Sequence, residues 1–85
     1  MNHLLIIQAQ NSPELPERIL RIVRHRGFKI QKFVAESNED QKILNITLNV
    51  FSDRPVSLLS KQIEKTFGII QVTILEHNSN QQAFA

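Results

Sequence analysis

Arginine recurs at every third position at Arg18, Arg21 and Arg24, and the run from residue 21 to residue 30 reads RIVRHRGFKI. Guanidinium groups spaced by three line one ridge of a helix, where their forked donors suit the carboxylates of a partner protein. Such a ridge can bind, but it holds no group that attacks a substrate or shuttles a proton. The competing reading is a solvated face paired locally with Glu14 and Glu17, because surface charge runs carry little energy. Arg21, near the centre of the polar arc, is the best single candidate for contact.

The same run contains Arg26-Gly27-Phe28, which echoes part of the RNP1 signature of RNA-binding sheets. There, exposed aromatics on the two central strands stack bases, and RNP1 lies on the third strand. Here the tripeptide falls between a helix and the second strand. The first strand has no aromatic, and the third has only Phe51 near its end. The net charge is +2, with the basic residues mixed among Glu14, Glu17, Glu36, Glu39 and Asp40, whereas non-specific phosphate binding shows a more one-sided surplus. Nucleic acid is not the expected partner.

Other chemistries lack their residues. His3, His25 and His77 fall on different elements, with no i, i+4 pair and no carboxylate at ligand spacing, which argues against a metal site. The chain has no cysteine, hence no disulfide and no thiolate nucleophile. No nucleophile-and-base spacing stands out, and Gly27 and Gly68 do not make a phosphate loop. A chain that binds rather than catalyses is the expectation.

The elements that position these residues follow from periodicity. The 85 residues make one domain. Residues 3–10 begin with His3-Leu4-Leu5-Ile6-Ile7, apolar on both faces, as in a central strand of a sheet covered on one side. This run is too short for a membrane span and has neither the basic flank nor the cleavage site of a signal peptide, so a cytoplasmic protein is expected. Asn11 or Ser12 is expected to cap a helix that starts at Pro13, with Glu14 at its positive end and Pro16 in its first turn. Leu15, Ile19, Ile22 and Val23 form its apolar stripe, and Gly27 ends it in the left-handed conformation. Capping and the helix dipole thus explain the basic run without any ligand.

Residues 28–37 read as a strand with a bulge near Gln31 or Lys32, and 38–40 as a turn. Leu44, Ile46, Leu48 and Val50 alternate with Asn45, Thr47 and Asn49 in a half-buried antiparallel strand. Asp53 is expected to cap a second helix that buries Val56, Leu59, Ile63 and Phe67, leaves Leu58 off the stripe and ends at Gly68. Ile70, Val72 and Ile74 mark the last strand, and residues 78–85 read as a flexible tail beyond a domain of residues 1–77.

Strand, helix, strand, strand, helix, strand with right-handed crossovers gives an α+β ferredoxin-like βαββαβ sandwich, a four-stranded antiparallel sheet with two helices on one face. The other face would show Leu4, Ile6, Asn45, Thr47, Asn49, Thr73 and Leu75. That mixture is too apolar for water alone and points to self-association.

From Pro13-Glu14 through ERILRIVRHRGF (residues 17–28), the chain resembles the ACT-domain small subunits of acetolactate (acetohydroxyacid) synthase, the isozyme II type most closely. The resemblance covers nearly the whole chain. It implies a non-catalytic regulatory or activating subunit that dimerises side by side and binds a large catalytic subunit carrying thiamine diphosphate, Mg and FAD. That enzyme joins two 2-oxo acids in branched-chain amino-acid biosynthesis, and no cofactor is implied in this chain. Valine-sensitive members hold the effector in a loop reading Asn-x-Pro-Gly after the first strand. The corresponding stretch here is Asn11, Ser12, Pro13, Glu14 and Leu15, with glutamate in place of the glycine. Glutamate adds bulk and negative charge where an amino-acid carboxylate would approach, which implies a weak or vestigial site and poor sensitivity to valine. A free-standing ACT-type sensor of a small amino acid is the alternative.

Overall fold

The computed structural model describes residues 1–75. Their elements run β1 (Asn2–Gln10), α1 (Leu15–His25), β2 (Lys29–Ser37), β3 (Ile43–Phe51), α2 (Val56–Glu64) and β4 (Ile69–Leu75). All pairings are antiparallel in the order β2-β3-β1-β4, so β1 and β3 take the central places. This is the expected ferredoxin-like order. The proposed tail lies outside the described residues, as does His77. Among the described residues, no helix is long and apolar enough to cross a membrane.

Alternation decides which face of the sheet is buried. Leu5, Ile7 and Ala9 of β1 and Leu44, Ile46, Leu48 and Val50 of β3 turn inward, against Leu15, Ile19 and Val23 of α1 and Leu59 and Ile63 of α2. Ile22 and Val56 pack at the margin of this core. The opposite residues meet on the uncovered face: Leu4 lies across from Asn49 and Leu75, and Ile6 across from Thr47 and Thr73. The register of β2 on β3 slips between Ile30 and Lys32, in keeping with the bulge expected near Gln31 or Lys32. A second slip, between Gln8 and Ala9 against β4, was not foreseen.

The helix ends differ from expectation, beginning with α1, which starts at Leu15 rather than at Pro13. Neither Asn11 nor Ser12 caps α1; Glu14 occupies that place with no side-chain cap hydrogen bond. Asn11 is engaged elsewhere, its Nδ2 donating to the Gln41 carbonyl (2.9 Å). Asp53 does not cap α2 either, since Pro55 stands at its N-cap. At its other end α2 stops at Glu64 rather than at Gly68. The Lys65 and Thr66 amides donate back to Lys61 and Ile63, and the chain turns before Phe67 can join the stripe. Phe67 is 85% exposed.

Ser52 is a buried polar residue that periodicity does not single out. Its hydroxyl accepts from the Arg54 amide (3.0 Å) and donates to the Gly27 carbonyl (3.4 Å). Its amide donates to the Met1 carbonyl (3.0 Å), so the start of β1, the end of β3 and the α1–β2 turn are tied at one point.

Candidate functional site

Residues 11–14 connect β1 to α1 at one end of the sheet. The Asn11 amide donates to the Lys42 carbonyl (3.0 Å), so the backbone and the side chain of Asn11 both hold the β2–β3 turn. That turn is itself closed by Asn38, whose Oδ1 accepts from the amides of Lys42 and Ile43 (both 3.1 Å). On the other side, the Gln10 amide donates to the Gly68 carbonyl (2.8 Å). The loop is therefore anchored on both flanks.

Ser12 begins the turn, its carbonyl accepting from the Leu15 amide (3.1 Å). Pro13 and Glu14 are exposed, whereas the Leu15 side chain is buried in the core. The candidate effector residues are thus contiguous, but only Asn11 to Glu14 face outward or along the rim. The Ser12 hydroxyl and the Glu14 amide hold the Glu14 carboxyl below the usual carboxylate range, outweighing a desolvation that itself exceeds the pull of the Arg18 charge. A lowered folded value adds stability that is complete above the unfolded value and disappears as pH falls through the folded one. Glu14 is therefore an anion near neutral pH, placed where an incoming carboxylate would need positive potential.

The arginine ridge divides. Arg18 and Arg21 join Ile22, His25, Arg26 and Gln62 around an open groove of about 150 Å³ between α1 and α2. Arg24 is exposed on the same helix but does not line the groove. Arg26 and Gln62 were not candidates from sequence, yet Arg26 Nη2 donates to Gln62 Oε1 across the groove (2.8 Å). The i, i+3, i+4, i+7 spacing of Arg18, Arg21, Ile22 and His25 was a readable signal for the α1 wall. Nothing in the local pattern announces Gln62 as the opposite wall.

The third surface is the uncovered sheet face. Leu75, Phe51 and Val34 are at least one-third exposed, and Leu4 and Ile6 are half-buried. Asn49 Oδ1 is buried there without a hydrogen-bond partner among the described residues. A depression lined by Ile6, Gln8, Gln71 and Thr73 crosses from β1 to β4.

As for other chemistry, the His3 ring meets Phe28 edge-on at 6.4 Å between centroids, and His25 belongs to the groove. Among the described residues, no group of three or more His, Asp or Glu is placed to hold a metal ion.

Comparison with known proteins agrees with this geometry. The family profile described as "ACT domain" matches residues 11–72. The acetolactate synthase isozyme 2 small subunit of Escherichia coli (strain K12) is 37% identical over 82 residues, covering 96% of this chain and 94% of that protein. The acetolactate synthase small subunit of Buchnera aphidicola is 30% identical over 89% of this chain, which spans about half of that longer relative (49%). Two solved structures share the fold. The ACT domain from GTP pyrophosphokinase of Chlorobium tepidum has a TM-score of 0.76 at 16% identity, covering 88% of this chain and 97% of that one. The acetolactate synthase small subunit from Thermotoga maritima also has a TM-score of 0.76, at 21% identity, with 89% of this chain and 48% of that one covered. The chain belongs to the ACT-domain family, within the group of acetolactate synthase small subunits.

Proposed function

We propose that this chain is a non-catalytic regulatory subunit that assembles with, and activates, the large catalytic subunit of acetolactate synthase in branched-chain amino-acid biosynthesis. The observation that carries this reading is the end-to-end match to the isozyme 2 small subunit of Escherichia coli. The large subunit supplies thiamine diphosphate, Mg and FAD with the reacting groups. A docked subunit raises the rate only as far as it binds the active arrangement of its partner more tightly than the inactive one. A second copy of the chain forms a homodimer, which the apolar residues of the uncovered sheet face and the unpartnered Asn49 Oδ1 support. The test is light scattering on the chain alone, then co-elution and acetolactate formation after mixing with the large subunit. A dimer and a higher rate are expected. No co-elution and an unchanged rate would remove the reading.

The amino-acid loop is vestigial and the assembly poorly sensitive to valine. The ionised Glu14 supports this, since it places negative charge beside the start of α1. In Glu14→Gly the bulk and the charge both disappear, and millimolar valine is expected to release heat on calorimetric titration while the parent chain stays silent. Micromolar valine binding by the parent chain would contradict the argument, as would continued silence of the variant at high valine.

A further inference from the structure

The groove between α1 and α2 has a one-signed wall. Its lining carries Arg18, Arg21, His25 and Arg26 and no carboxylate, although the whole chain balances ten Lys and Arg against eight Asp and Glu. Ile22, half-buried, supplies an apolar floor. Leu58 stands four residues before Gln62, hence on the same side of α2, and is 46% exposed. Arg26 is oriented along the groove by its hydrogen bond to Gln62, which lowers part of the ordering cost of using it. At about 150 Å³ the groove is smaller than the roughly 300–1,000 Å³ of typical small-molecule sites. It suits the side chains of a docking protein better than a free metabolite.

We infer that this groove receives an acidic amphipathic segment of the large catalytic subunit, its carboxylates paired with Arg18, Arg21 and Arg26 and an apolar side chain laid over Ile22 and Leu58. This rests on the subunit reading above. Planar guanidinium groups favour bidentate carboxylate pairs, and charge of one sign on one wall sets the orientation and speed of encounter.

Arg24 provides the control, because Arg24→Glu changes the net charge as much as Arg21→Glu does, on the same helix but outside the groove. Binding of the large subunit would be measured against the parent chain and both variants at two salt concentrations, with circular dichroism to verify the fold. Arg21→Glu is expected to weaken binding about tenfold, or about 1.4 kcal/mol, and to flatten its salt dependence. Arg24→Glu should remain within about twofold of the parent, as a charge outside the contact. Equal weakening by both, or by neither, overturns the groove as the docking site while leaving the subunit reading intact. A parent chain that fails to bind the large subunit removes both.

Discussion

Leu48→Ala is expected to cost about 2–5 kcal/mol of folding stability. Leu48 is fully buried on β3, between Leu5 of β1 and Phe33 of β2 in the register of the sheet. Its removal leaves a void under both helices, and the surrounding side chains collapse into it only in part. A domain of 85 residues has about 4–13 kcal/mol in total, so this single change takes a large share of it. Because about 1 kcal/mol moves the midpoint of so small a domain by roughly 4–8 °C, a fall of more than about 8 °C is expected on thermal melting. In urea, the midpoint should drop with little change in slope. A loss below about 1 kcal/mol would mean that β3 is not the central packed strand described here.

The layer that Leu48 supports was legible because period-two alternation on β3 and period-3.6 spacing on α1 report burial directly. Leu44, Ile46, Leu48 and Val50 all turn inward, as do Leu15, Ile19 and Val23. The helix starts were not legible. Asn11 is a good capping residue by type, but a carbonyl thirty residues away takes its side chain, and Gln41 presents that carbonyl from a left-handed turn (φ 64°). Phe67 fits the stripe of α2 by spacing, but spacing has no meaning once the helix has ended at Glu64. The site shows the same division. Arg18 and Arg21 follow from the helical period, whereas the Arg26–Gln62 bond depends on how α1 and α2 lie against each other, which is a property of the packed layer.

Gly27→Val is expected to cost about 2 kcal/mol or more, and to disturb the groove as well as the fold. The α1 end is closed by two backbone bonds: the Gly27 amide donates to the Arg24 carbonyl (3.0 Å) and the Phe28 amide to the Val23 carbonyl (3.1 Å). This is a Schellman closure, and Phe28 and Val23, at the positions where an apolar contact accompanies it, are both buried in the core cluster. It requires the left-handed backbone found at Gly27 (φ 84°), where an L-residue loses roughly 1–2 kcal/mol and a β-branched one more. A Cβ would also lie 2.8 Å from Arg54 Nε, so the Arg54 side chain must move aside. Asparagine tolerates this conformation better than valine or alanine, and the order of loss should be Val, then Ala, then Asn. Arg26 immediately precedes the strained residue, so relief by rotating the turn would break its bond to Gln62 and weaken large-subunit binding beyond what the lost stability explains. Chemical denaturation and binding of the three variants, measured side by side, check both parts. Equal stability across the series would show that the closure does not depend on the left-handed residue.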